Sequence, residues 1–382
     1  MDISFHYFAI KSIARAAGYD EAKAQRIATF SQFIDDYNWY SYFLAGNIPN
    51  YIKQDKYDIV VNNTLGLINP VTTGFYDNID ILTLLLPRPQ KFTVSAFHFI
   101  PSDEQSLATN NRRTAPSTLN DNSYISNELN ELKEGILNNT VSESDSILRM
   151  GMLLHTFADT YAHQLFTGYN EDLNDMELIK VYDNIQEGKD VTDYYKMKII
   201  EYLKAIEKMI GKKVVEIGHI KVGHVPDYTH ISFDMKYTSD GSVKTHSRSN
   251  TSEFINASKE IYTFMRECLT EKIPCNLTWE QLSEKLANAF LINASKELDN
   301  GEKTAVDLLK PHWNKQFPNY QYNYSNEAVK QGFILKASNE AIPVSVEGQN
   351  LTLFKNDYSD DFYKFNMYAD EHLIRLYGVH PR

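Results

Sequence analysis

Cysteine is almost missing from this chain. Cys268 and Cys275 are the only two among 382 residues. So few exclude a disulfide framework and a cysteine-rich zinc module; both read as small apolar core residues. Long apolar runs are also missing. The longest, from Ile79 to Pro87, is broken by Asp80, far short of the roughly 20 residues that span a bilayer. The opening residues Met1-Asp2-Ile3-Ser4-Phe5-His6 carry neither a basic segment nor a continuous apolar one, which is not a standard signal peptide. That predicts a cytoplasmic protein, unless a dedicated secretion system exports it. Positive charge is scarce: the formal net charge is -12, which argues against stable docking on duplex nucleic acid. No glycine-rich phosphate loop and no βαβ rhythm is present, against a nucleotide-fold enzyme.

What is present suits a folded core. Hydrophobic residues make up 42% of the chain, enough to bury a sizeable interior. Apolar positions recur at helical spacing along most of it. Helices are predicted over the first 36 residues in two pieces, then from Ser123 to Leu137, from Ser142 to about Phe166, over 191–210, and near 251–270, 278–298 and 356–377. Lys91 to Ile100, β-branched and aromatic, predicts a short strand. Residues 101–122 predict a polar surface loop over a site, and Ser239-Asp240-Gly241 the turn of a small hairpin. The fold class expected is all-α, a multi-helix bundle with a minor β-hairpin and a helical C-terminal extension. Residues 1–230 form the expected metal-binding core and 231–382 an extension packed on it.

The most informative stretch runs from Gly151 to Gln164. It sets His155, Asp159 and His163 at i, i+4 and i+8 of a helix, within a sector of roughly 80°. The two histidines lie about 12 Å apart along the axis, too far for one ion to hold both at about 2.0–2.1 Å. Asp159 between them has two oxygens, enough to bridge two ions. Leu153, Leu154, Phe157 and Ala158 crowd this ladder, and an apolar setting demands that such groups be paired or metallated.

Other clusters carry the same residue types. Asp2 and His6 are one helical turn apart. Asp35 and Asp36 end the second helix. His98 stands in Phe97-His98-Phe99-Ile100-Pro101, and His219, His224 and Asp227 share one Gly- and His-rich turn. Each alone also reads as a surface pair or a satisfied core contact. Arg112 and Arg113 read either as a phosphate clamp or as a solvated basic pair.

Taken together, and in this order, Met1 to Tyr7, Ala28 to Asp36, Phe97 to Pro101, the ladder, and Gly218 to Asp227 resemble a poorly characterised group of bacterial proteins. That group is similar to the zinc-dependent phospholipase C and single-strand nuclease superfamily. The resemblance covers residues 1 to about 230. It implies an all-helical fold with two or three zinc ions in one cleft. By that likeness Asp159 bridges two zincs, and Asp35, His98 and His155 complete the first. His163, Asp227 and one of His219 and His224 hold the most loosely bound ion. His6 with Asp159 holds the third. In the enzymes the amino terminus ligates that third zinc; here Asp2 replaces it or that place stays empty.

The expected function is zinc-dependent phosphodiester hydrolysis of the phospholipase C kind, with Asp35 or Asp36 orienting or deprotonating the water. The expected partner is a phospholipid, met in transient contact with a membrane surface, for which abundant Phe and Tyr offer a lining. Single-strand nuclease activity is the runner-up. A metal-stabilised binding module without catalysis is the third possibility.

Overall fold

The computed structural model describes residues 1–39, 42–53, 59–74, 85–103, 106, 112–211, 216–269, 273–296, 302–346 and 348–378. The chain opens as a π-helical turn, Ser4–Ala9, that continues as α1 (Ile10–Ala17), followed by α2 (Glu21–Asp36). Short strands β1 (Phe43–Ala45), β2 (Val60–Asn62) and β3 (Leu67–Ile68) precede α3 (Gln90–His98), α4 (Tyr124–Leu137) and α5 (Glu143–Ala162). Then come β4 (Met176–Asp183), β5 (Lys189–Asp190), α6 (Thr192–Ile210), β6 (Ile231–Ser239), β7 (Ser242–Ser249) and α7 (Asn250–Glu267). The chain closes with α8 (Trp279–Ala289), α9 (Glu302–Gln316), α10 (Asn326–Phe333), β8 (Ile334–Val346), β9 (Gln349–Tyr358) and α11 (Asp360–Tyr377).

This is an α+β fold. Among the described residues it is 52% helical and 17% strand, with sheets of five and four strands, which overturns the all-α expectation. Unforeseen strands account for the difference, the longest of them near the C-terminus. The segment between α9 and α11 holds a long antiparallel hairpin, β8 to β9. Most positions of β8 are exposed on both faces, so it lacks the apolar alternation that announces a half-buried strand. Conversely, Lys91 to His98 is not the predicted strand but part of the π-helix α3. Pro87 and Pro89 start that helical run, where a missing N–H does no harm.

The chain divides into two units, residues 1–34 with 77–324 and residues 35–76 with 325–382. In the first, α5 is buried without a break from Ser146 to Ala162, as befits a helix enclosed on all sides. Ser142 caps its start, accepting from the Asp145 amide. Gly151 lets α2 come close: a Cβ there would stand 2.5 Å from the Ile27 carbonyl oxygen. Gly168 does the same beside α3, where a Cβ would meet the Ser95 amide nitrogen at 2.5 Å. The sheet order is β5-β4-β6-β7, all antiparallel. Residues 112–122 are not a lid. The Thr114 amide donates to Phe166 (2.8 Å), the Leu165 amide to Thr114 (2.9 Å), and Tyr161 Oη to the Ser117 carbonyl (2.8 Å). Residues 104–105 and 107–111 of that expected loop lie outside the described residues, as does most of the apolar run from Ile79.

The second unit has a mixed sheet, β2-β3-β1-β9-β8, in which only β1 and β9 run parallel. Pro343 lies in β8, an edge strand, where its missing donor is tolerated. Leu44, Leu67 and Val346 form its small apolar cluster. Asn366 of α11 is buried and saturated: Oδ1 accepts from Tyr37 Oη (3.1 Å) and the Val71 amide (2.7 Å), and Nδ2 donates to the Phe362 carbonyl (2.8 Å). No helix among the described residues is long and apolar enough to cross a membrane.

Candidate metal centre

Three elements of the first unit bring the predicted histidines and carboxylates together. The π-helical turn Ser4–Ala9 supplies His6, α3 ends on His98, and α5 carries His155 and Asp159 with His163 at its C-cap. The turn after α6 supplies His219 and Asp227. Two groups lie wholly within this unit, each with ligand atoms within 4.8 Å of one another: His6, His155 and Asp159, and His163, His219 and Asp227.

Asp159 is the hub. Its Oδ1 faces His6 Nε2 at 3.1 Å, and its Oδ2 faces His98 Nδ1 and His155 Nε2, each at 3.3 Å. His98 Nδ1 and His155 Nε2 are themselves 3.2 Å apart. Those three atoms make a nearly equilateral triangle. Two ligand atoms on one tetrahedral ion at about 2.0–2.1 Å stand roughly 3.3 Å apart, so the triangle has the size of one face of such a site. In the second group His163 Nε2 lies 3.1 Å from Asp227 Oδ1, and His219 Nε2 lies 3.2 Å from Asp227 Oδ2.

Backbone carbonyls fix which nitrogen faces inward. His155 Nδ1 donates to the Ser31 carbonyl (2.8 Å), His219 Nδ1 to the Gly223 carbonyl (2.8 Å), and His163 Nδ1 to the His98 carbonyl. A carbonyl only accepts, so each Nδ1 carries the hydrogen, the arrangement that orients imidazoles toward a metal. Burial pushes the His155 pKa well below its ordinary value and that of His219 down to about 3; both are neutral near pH 7. Their Nε2 lone pairs therefore point at carboxylate oxygens that are themselves only acceptors. Burial alone would raise Asp159 and Asp227, but nearby histidines and the Met1 amino group outweigh it and hold both well below the usual carboxylate range. Lone pair facing lone pair calls for a cation between them. At His6 burial lowers the pKa to about 4, and its buried Nδ1 has no hydrogen-bond partner among the described residues, so no carbonyl fixes its tautomer. The donor set, imidazole nitrogen and carboxylate oxygen without thiolate, suits zinc.

The remaining predicted residues fall as follows. Asp2 belongs to neither group. Its Oδ1 accepts from the Ser4 amide (2.8 Å), and burial raises its pKa to about 6. The Met1 amino nitrogen stands 2.5 Å from Asp159 Oδ1 and 3.4 Å from Asp227 Oδ1. His224 reaches Asp227 Oδ2 at 3.2 Å, but its side chain is 39% exposed and sits beside the Tyr202 and Tyr228 rings. Asp35 is buried and Asp36 half-buried at the end of α2. Asp35 stands one turn beyond Ser31, whose carbonyl orients His155, on the same helix face. Arg113 is a structural clip, donating to the carbonyls of Leu165, Leu173 and Thr238. Arg112 pairs with Glu171 at 2.9 Å and stacks on Tyr169. Neither is a free phosphate clamp.

The fold and site define a mixed α+β protein with buried His/Asp groups able to hold metal ions. A family model described as a family of unknown function (DUF6765) matches residues 1–378, and the chain belongs to that family. No curated protein and no solved structure matches it.

Proposed function

We propose that this protein is a zinc-dependent phosphodiester hydrolase of the phospholipase C kind, holding two or three ions. One observation carries the metal reading: neutral, oriented imidazoles aim lone pairs at ionised carboxylates in both groups. His98, His155 and Asp159 hold one ion in this reading. His163, His219 and Asp227 hold the second. His6 and Asp159 Oδ1, beside the Met1 amine, serve a third. When bound, zinc supplies positive charge for a phosphodiester and acidifies water. Asp35 or Asp36 is the residue proposed to orient or deprotonate that water. His224, half-exposed on the rim of the second group, is placed to meet the substrate.

Phospholipid is favoured over nucleic acid by the net charge of -12 and by the surface next to His224. The outer face of α6 exposes Tyr194, Met197 and Ile200, with exposed Lys204 and Lys208 further along it. Apolar residues beside lysines suit an anionic lipid interface, and Tyr202 ties this helix to His224.

The test is metal analysis of purified protein, followed by a panel of phospholipids, single-stranded DNA and RNA, and bis(p-nitrophenyl) phosphate. Zinc above one equivalent with phospholipid hydrolysis is expected. Cleavage of single strands alone would move the protein to the nuclease reading. Bound zinc without turnover on any substrate would leave a metal-stabilised module. Absence of zinc would end the reading altogether.

A further inference from the structure

Arg248, near the end of β7, is buried at 6% exposure. Its Nε donates to Asn250 Oδ1 (2.8 Å), Nη1 to the Tyr161 and Ala162 carbonyls (3.0 and 2.6 Å), and Nη2 to the Pro226 carbonyl (2.9 Å). Among the described residues no carboxylate lies within ion-pair distance of it. Burial lowers its pKa only to about 10, so it stays a cation. A buried cation without a direct counter-ion is costly, and here its position repays the cost. Tyr161 and Ala162 are the last two residues of α5; their carbonyls are unused by the helix and lie at its negative end. His163 follows them directly. Pro226 directly precedes Asp227. Asn250 Nδ2 completes the grip by donating to the carbonyls of Val225 and Tyr228, both at 2.8 Å. Together the two side chains hold backbone on both sides of Asp227 and just ahead of His163.

We infer that Arg248 and Asn250 are the positioning residues of the second ligand group. They fix the separation of His163 from Asp227 and so set the affinity of that group for its ion without touching it. This rests on the metal reading above. Neither residue follows from the ligand motifs, because their hydrogen bonds toward the site end on main-chain carbonyls.

The test pairs zinc titration against a chromophoric chelator with amide hydrogen exchange, on wild type, Arg248→Met, Arg248→Lys and Asn250→Ala. Asn250→Ala keeps the guanidinium in place and guards against a variant that fails to fold. The weaker zinc equivalent is expected to lose about 10- to 100-fold in affinity in Arg248→Met and Asn250→Ala, as for other outer-shell changes. The tighter equivalent keeps its affinity, and Arg248→Lys recovers part of the loss. Exchange should quicken over 161–167 and 217–230 but not over 4–17. Unchanged affinity at the weaker equivalent, or an equal fall at both, overturns the proposal. If wild type takes up no zinc, the metal reading fails by itself. Exchange in the metal-free protein then decides: quickening confined to the two segments upholds the positioning role, and unchanged protection in Asn250→Ala overturns it.

Discussion

At the scale of the residue, Asp159 concentrates the chemistry. Its two oxygens address different partners, Oδ1 toward His6 and Oδ2 toward His98 and His155. His163 shares its Nε2 only with Asp227 among the described contacts. Removing the two side chains should therefore differ in kind. Asp159→Ala is expected to lose two zinc equivalents and His163→Ala one, measured by mass spectrometry of the metal on folded, desalted protein. Loss of a single equivalent from both variants would contradict a bridging carboxylate. The residue types at this site were legible because imidazole and carboxylate at helical spacing inside an apolar stretch have few other uses. The choice between His219 and His224 was not. It depends on where a turn points each ring, and the turn leaves His219 14% exposed and His224 39% exposed at the rim.

At the scale of the element, the ladder works because α5 can be packed from every side. Gly151 is the closest approach: a Cβ there would lie 2.5 Å from the Ile27 carbonyl and 2.9 Å from the Phe30 Cβ. Gly151→Val should push α2 away from α5 and destabilise the protein by about 1–3 kcal/mol, the usual cost of overpacking. Urea unfolding would register this as a lower midpoint at unchanged slope. Because the Ser31 carbonyl on α2 orients His155, zinc affinity should fall with it. A midpoint within error of wild type would mean that the helices separate freely. Helices such as α4, α5 and α7 were legible from apolar periodicity, and the structure shows Ser123, Ser142 and Ser249 capping them. The π-helix α3 was not, since its β-branched and aromatic residues favour strand locally and tertiary packing overrides that preference. Nor was β8, exposed on both faces.

At the scale of the whole molecule, the site stores a pH dependence in the fold. Burial depresses His6 to about 4, His219 to about 3 and His230 to about 4, and takes His155 well below its ordinary value. In the unfolded chain each accepts a proton near pH 6.5. Between that value and the depressed ones the unfolded state binds more protons, so acidification favours unfolding. Asp2 works in the opposite sense. Its folded pKa of about 6 lies above its ordinary 3.8, so between those values it binds its proton in the folded state and opposes the loss. Four depressed histidines outweigh one raised carboxylate. Below about pH 4 the depressed Asp159 and Asp227 add to the loss, because the unfolded chain protonates them first. Zinc steepens the same trend, since its ligands must be deprotonated to bind. The melting temperature of chelator-treated protein should be level above about pH 7 and fall steadily from pH 6.5 toward 4. With zinc present the plateau should be higher and the fall steeper, as metal release joins histidine protonation. Thermal melts at constant ionic strength measure both curves. A metal-free curve that is flat across this window, or that peaks within it, would show that these histidines are not held neutral by burial. The lone-pair geometry that calls for a metal would then lose its premise.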